Sequence, residues 1–244
     1  MYISETLSAA SPLEKLAEGL SQMPAASILY WAAKEFGDKL AVTSSFQTQS
    51  LPLLHLVSRI APNTTVFFLD TGYHFRETLD YRDLLIRELG INVEVLKPLA
   101  EKGSHSSESG PLHQVNPNMC CYLKKVEPLQ RALVGKCAWI SGVRRDQTQT
   151  RKDMPVVSLQ VNDCLKICPM LEWPEKSVMA YIHRHGLPMH PLLDKGYKSI
   201  GCEPCTKPVL ENEHSRSGRW SDSDKTECGL HFDKGGKIVR TRNI

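Results

Sequence analysis

Leu40-Ala41-Val42-Thr43-Ser44-Ser45 and Val66-Phe67-Phe68-Leu69-Asp70-Thr71-Gly72 are two short apolar runs, each ending in a polar turn. Between them, Leu53, Leu54 and Val57 recur at helical spacing. Apolar runs without polar alternation predict strands buried on both faces. Strand, helix and strand in that order predict a parallel sheet with helices on its faces. In such sheets ligands bind beyond the carboxyl ends of the strands, which is where both polar turns fall.

The pattern extends in both directions. Ser11-Pro12 is a good helix start ahead of Leu13, Leu16 and Leu20. A second helical stretch spans roughly residues 24–36. Leu79, Leu84 and Leu85 mark another helix, which Gly90 can end, and Val93-Glu94-Val95-Leu96 is a further strand. Residues 103–118 read as a long loop, 118–134 as a helix, 137–141 as a strand and 175–185 as a helix. From residue 206 the chain turns polar, with Ser, Gly and charge interleaved from Glu211 to Asp224. The expectation is one doubly wound, mainly parallel, Rossmann-like α/β domain over 1–205. Residues 206–244 would form a mobile tail or lid, hinged at Gly218 and Gly229.

The chain has 244 residues, enough for one large α/β domain, and 41% are hydrophobic. A net charge of +3 is too small to argue for nucleic acid. No apolar run approaches the roughly 18 residues of a membrane span. The first ten residues lack the basic and apolar regions of a secretory signal. A cytoplasmic location is therefore expected, where the eight cysteines point to metal binding or catalysis rather than disulfides.

Cys120 and Cys121 are adjacent, and Cys202-Glu203-Pro204-Cys205 is a C-x-x-C. Four thiolates suit a [4Fe–4S] cluster or a zinc ion. Adjacent cysteines reach around one ion poorly and suit a larger cluster better. Zinc, or simple burial of the thiols, stays open. Lys125, about one helical turn past Cys121, would set a positive charge beside the cluster or a substrate. Cys228 sits near Lys225 and His231, which favour the thiolate, so it is either a nucleophile or an inert exposed thiol. Cys164 and Cys168 read as structural thiols and Cys137 as part of the core.

Three segments suit anions. Thr43 to Ser50 joins a strand to a helix and offers hydroxyls and N–H groups, or merely caps that helix. Ser141-Gly142-Val143-Arg144-Arg145 through Arg151 also follows a strand. Arg216 and Arg219 stand beside Trp220. Guanidinium forks suit phosphate or sulfate, although a solvated basic turn would look the same. His183, His185 and His190 are read as a helix end and its following loop.

Together these segments resemble one family, the assimilatory adenylyl-sulfate and phosphoadenylyl-sulfate reductases. The likeness runs from Leu40 to about His231. It is carried by Ser44-Ser45-Phe46, Leu69-Asp70-Thr71-Gly72, Gly142-Val143-Arg144-Arg145-Asp146-Gln147, His190-Pro191-Leu192, Gly196-Tyr197, Ser199-Ile200-Gly201-Cys202 and Lys225-Thr226-Glu227-Cys228-Gly229-Leu230-His231. Gln47 departs from the glycine, and Lys124 from the arginine, that many members carry.

The resemblance implies an adenine nucleotide alpha-hydrolase-like sheet and a [4Fe–4S] cluster on Cys120, Cys121, Cys202 and Cys205. It implies a substrate site formed by Ser44, Ser45, Leu69, Lys125, Gly142, Arg144, Arg151, Arg216 and Arg219. Members with the four cysteines mainly use adenosine 5′-phosphosulfate, and some also accept the 3′-phosphorylated form. Cys228 would attack sulfur to give an S-sulfocysteine, which thioredoxin or a similar dithiol protein would reduce. Two readings compete: a reductase of the 3′-phosphorylated or of both nucleotides, and a metal-stabilised redox-sensing module. The oligomeric state stays open, a homo-oligomer included.

Overall fold

The computed structural model describes residues 11–99, 106–107, 110–160 and 163–230. Its frame is a six-stranded sheet. The strands are β1 (Leu40–Thr43), β2 (Thr65–Leu69), β3 (Val93–Leu96), β4 (Ala138–Ser141), β5 (Val157–Leu159) and β6 (Leu165–Ile167). Their order is β3-β2-β1-β4-β6-β5, parallel except for the edge strand β5, which pairs antiparallel with β6. Helices α1 (Pro12–Ser21), α2 (Ala25–Phe36), α3 (Leu51–Ile60) and α4 (Arg76–Leu89) precede or link the first three strands.

Residues 117–132 form α5 (Pro117–Cys121), a π turn (Tyr122–Val126) and α6 (Glu127–Ala132), and α7 (Glu175–Arg184) follows the sheet. The continuous helix expected over 118–134 is thus interrupted. Pro128 has no N–H to offer the carbonyl of Lys124, and the Glu127 N–H bonds back to Tyr122 instead. The helix begins at Pro117, where Asn116 caps it by accepting from the Met119 N–H at 3.0 Å.

The strands send alternate side chains to opposite layers. Leu40, Val42, Val66, Phe68, Ala138 and Ile140 enter the larger core with α1 to α4 and α7. Ala41, Phe67 and Trp139 enter a smaller one with Leu129 and Leu133. Burial on both faces explains why β1, β2 and β4 carry no polar alternation. β3 departs from that expectation: it lies at the sheet edge, and Glu94 and Val95 are exposed. Cys137, expected in the core, is also exposed, because it precedes β4 at the amino-terminal rim of the sheet.

The chain leaves β1 for β2 and β3 on one side and returns to β4 on the other. The connections therefore part beyond the carboxyl ends of β1 and β4, leaving a crevice there. Residues 206–230, expected as a tail or lid, lie folded against the sheet domain. The Lys207 N–H donates to the Gly218 carbonyl at 2.8 Å, the Trp220 N–H donates to Cys205 at 3.1 Å, and Leu230 packs on the smaller core. A Cβ at Gly218 would stand 2.1 Å from the Lys207 carbonyl oxygen. Close backbone approach requires glycine there.

Candidate functional site

Ser44 and Ser45 leave the end of β1 and line an open pocket at the crevice. The loop they begin is held from within. The Ser44 N–H donates to Phe67 at 3.1 Å, and Ser44 Oγ accepts from the Phe46 N–H at 3.1 Å. Phe46 takes a left-handed φ of 51°, yet its ring is fully buried, edge-on to Phe68. Such a conformation costs about 1–3 kcal/mol. Burying the ring contributes about 1.5–3 kcal/mol, enough to hold the turn. Gln47 ties the loop to the far wall, its Oε1 accepting from the Ile200 N–H at 2.9 Å.

Leu69, Lys125, Gly142, Arg151, Arg216, Arg219 and Cys228 line the same pocket. Arg144 does not. Its guanidinium is buried, donates to Asp146 at 3.1 and 3.3 Å and bonds Gln49. It braces the loop after β4 instead of facing a ligand. Seven residues on, Arg151 reaches the pocket. Its Nε and Nη2 each donate to the Glu227 carboxylate at 2.6 Å, while Nη1 bonds Gln147.

Cations crowd this space. Burial, with the charges of Arg151 and Arg219, pushes Arg216 down to about 10, so it stays protonated at neutral pH. Burial raises the pKa of Glu227, but the hydrogen bonds and charge of Arg151, with Arg216, outweigh it and hold the carboxylate low. Three pocket-lining donors, Trp139 Nε1, Arg219 Nε and Trp220 Nε1, are buried without a hydrogen-bond partner among the described residues. Concentrated positive charge and unused N–H groups together suit a polyanionic ligand with several acceptors.

A second, smaller cavity adjoins the first. Cys120, Cys121, Cys202 and Cys205 all line it, as do Lys125 and Trp220, which line both cavities. The two pairs arrive from different elements. Cys120 and Cys121 end α5, while Cys202 and Cys205 flank a short turn held by the Glu203 N–H donating to Tyr73 at 2.7 Å. Gly201, just before Cys202, lies under Arg219, whose Nη2 would stand 2.2 Å from a Cβ. Burial pushes the Cys120 thiol up to about 12 and also raises Cys121 and Cys205. For Cys202, burial is outweighed by Lys125, by a 3.3 Å contact with Thr71 Oγ1 and by Arg219, so its pKa falls. Burial also lowers the pKa of Lys125, but Cys202, Cys121 and Cys228 more than reverse this and keep it an ammonium.

Among the described residues, no three His, Cys, Asp or Glu side chains are arranged to hold a single metal ion. The four thiols nevertheless line one small cavity, a donor set whose chemistry suits a metal or a cluster. Cys164 and Cys168 are buried away from both cavities, and His190 is buried against Thr78. Trp139, Trp220 and Glu227 carry much of the site's character but had no sequence-level reading as ligands. The only signal was the place of Trp220 beside Arg219 and of Glu227 beside Cys228; Trp139 gave none. His231 and the residues after it lie outside the described residues.

Residues 39–208 match the sequence profile of the phosphoadenosine phosphosulfate reductase domain. The adenosine 5′-phosphosulfate reductase of Streptomyces coelicolor is 44% identical over 220 residues, covering 89% of this chain and 92% of that protein. Adenosine 5′-phosphosulfate reductase 2 of Bacillus subtilis is 44% identical over 209 residues, 84% and 88% of the two chains. A crystal structure of phosphoadenylyl-sulfate reductase from Candida auris, in a phosphate complex, aligns with TM-score 0.69 and 28% identity, over 82% of this chain and 98% of that one. The FMN adenylyltransferase of Candida glabrata, at 12% identity and TM-score 0.57 over 85% and 71%, shares the fold alone.

Proposed function

The chain belongs to the phosphoadenosine phosphosulfate reductase family, and on that premise we propose that it reduces adenosine 5′-phosphosulfate to sulfite and AMP in sulfate assimilation. One observation carries the reading. A cysteine thiol, Cys228, lines the same pocket as Arg151, Arg216, Arg219, Lys125 and the Ser44-Ser45 turn. The names of the relatives that are 44% identical favour the nucleotide without a 3′-phosphate.

The chemistry follows from these groups. Ser44, Ser45, Leu69 and Gly142 receive the nucleotide at the sheet's carboxyl edge. Arg216, Arg219 and Lys125 neutralise the phosphosulfate, and the unpaired donors of Trp139 and Trp220 offer further hydrogen bonds. The Cys228 thiolate attacks sulfur. The new S–S bond forms as the S–O bond to phosphate breaks, and AMP leaves with that electron pair. Cations on the departing phosphate stabilise the charge that develops on it. A thiolate of an external dithiol, thioredoxin or a similar protein, then attacks Cys228 Sγ and expels sulfite. The second thiol closes the dithiol's disulfide and frees Cys228. The dithiol supplies both electrons.

Cys120, Cys121, Cys202 and Cys205 would hold a [4Fe–4S] cluster. When bound, it supplies a structural tie between α5 and the 202–205 turn, and a concentration of negative charge facing Lys125. The setting is cytoplasmic, where reduced thiols persist. Among the described residues, no helix is long and apolar enough to cross a membrane.

The deciding experiment compares sulfite release from adenosine 5′-phosphosulfate and from its 3′-phosphorylated form, with reduced thioredoxin, using anaerobically purified protein. Faster release from the first, by protein that contains iron and absorbs in the visible, is expected. Release from the second alone would make this a phosphoadenylyl-sulfate reductase, the reading that the Candida auris neighbour keeps in view. Release from neither would sink the proposal.

A further inference from the structure

We infer that Glu227 and Arg151 form a clasp that seats Cys228 in the pocket, so that Arg151 holds the catalytic tail in place. The inference rests on Cys228 being the nucleophile of the proposed reaction.

Three of the five N–H groups of Arg151 are held within the protein. Nε and Nη2 grip the two Glu227 oxygens at 2.6 Å each, in a parallel fork, and Nη1 is taken by Gln147. Thr148 Oγ1 donates to the same carboxylate at 2.8 Å, and Thr150 Oγ1 donates at 3.3 Å. Both partners are nearly buried, with side chains 7% and 13% exposed. A fork of charge-assisted bonds sheltered from water is far firmer than a surface ion pair. Arg216 adds to the seat, its Nη2 donating to the Thr226 carbonyl at 2.9 Å.

The grip lies next to the reactive residue and is flanked on both sides. Upstream, Lys225 Nζ donates to Asn118 Oδ1 at 2.5 Å, on the wall that carries Cys120 and Cys121. Downstream, Leu230 packs against the smaller core. Cys228 is thus suspended between a charged anchor, a polar anchor and an apolar one. Lys225 meets a neutral amide and Leu230 makes only apolar contact, so the Glu227 fork, charged on both partners, is the part that fixes the register of Cys228 over the pocket. Opening it frees the thiol for a protein dithiol, so Glu227 and Arg151 are positioning residues.

The test is the rate at which iodoacetamide alkylates Cys228 in the full-length protein without substrate. Peptide mass spectrometry separates Cys228 from the exposed Cys137. Glu227→Gln and Arg151→Gln should each raise that rate about tenfold, the change expected from losing about 1.4 kcal/mol of seating. The double variant should go no further than the singles, because both break one clasp. Thr148→Val, which spares the fork, should have a smaller effect. With adenosine 5′-phosphosulfate, Glu227→Gln should form the covalent adduct about tenfold more slowly, while a small dithiol should release sulfite from the preformed adduct no more slowly. Unchanged alkylation in both single variants, multiplied effects in the double, or an adduct rate equal to the parent's would overturn the clasp. No adduct in the parent would overturn the proposed function instead, and the alkylation rates would still decide the clasp.

Discussion

The pocket and the cysteine cavity share a wall, Lys125 and Trp220, but they are built in opposite ways. The pocket gathers guanidinium groups from two stretches of chain and sets one carboxylate, Glu227, against them, with Arg216 driven down to about 10. The cavity gathers four thiols, three of them with raised pKa values, and meets them with one ammonium. One chamber suits an anion; in the other, burial favours the protonated form of three of the four thiols. Lys125 answers to both, since Cys202, Cys121 and Cys228 together keep it charged. The difference teaches that the two chambers are electrostatically joined, through Lys125 and Arg219, and that damage should pass between them unequally.

The largest effects test that inequality. Cys228→Ser removes the proposed nucleophile and should lower turnover by at least about 10³-fold. Iron content and the visible spectrum should stay as in the parent. Cys202→Ser should do both kinds of damage: loss of iron, and a fall in turnover of about 10²-fold as Lys125 loses its strongest partner. Parallel assays of iron and sulfite release decide this. A Cys202→Ser protein that turns over at the parental rate would separate the chambers entirely.

The shared wall comes next. The Trp220 indole is buried and has Arg219, Lys225 and Arg216 at 4.4, 5.6 and 5.9 Å from its ring. Cation–π attraction of about 0.5–2 kcal/mol per pair helps these cations gather around the ring. Trp220→Leu should therefore weaken nucleotide binding about tenfold and make iron easier to remove with a chelator. Trp220→Phe keeps a π face and should fall between. Leucine and phenylalanine variants that behave alike would show that the indole serves as a spacer and not as a platform for charge.

The same contrast shows what the sequence made legible. β1, β2 and β4 could be read because burial on both faces leaves a run of apolar residues; the order of strands then pointed to the turns at Ser44-Ser45 and Asp70-Thr71-Gly72, of which the first lines the pocket, together with Gly142. β5 and β6 were not read. They are three residues each and carry Ser158 and Lys166, the latter a buried lysine over Trp139. Arg144 and Arg151 could not be told apart, because charge and spacing do not reveal whether a guanidinium meets a ligand, Asp146 or Glu227. The four cysteines were legible as a set because thiol chemistry restricts what they can do. Trp220 was legible only as the neighbour of Arg216 and Arg219, since an aromatic residue in a polar segment does not reveal that it lines two cavities until its neighbours are placed in space.

The smallest effect concerns acid, and it falls on the pocket side. His190 is buried beneath the pocket wall. Its Nδ1 accepts from the Leu192 N–H at 3.2 Å, which leaves Nε2 to donate to Thr78 Oγ1 at 3.0 Å. Its own N–H donates to Thr48 in the turn before α3. Burial pushes its pKa from 6.5 down to about 4. With the folded value below the unfolded one, the unfolded chain takes up the proton first. The contribution of neutral His190 is whole above about pH 6.5 and is lost as pH falls toward 4. One proton allows a slope of at most about 1.4 kcal/mol per pH unit in that window. Urea unfolding at a series of pH values should show the parent losing stability across this range, and His190→Asn, which cannot take up the proton, losing less. Thr78 lines the pocket and the cysteines do not touch this network, so weaker nucleotide binding should accompany the loss while iron content holds. Equal slopes in parent and variant would move the acid sensitivity elsewhere, and iron lost in step with nucleotide binding would mean that acid does not distinguish the two chambers.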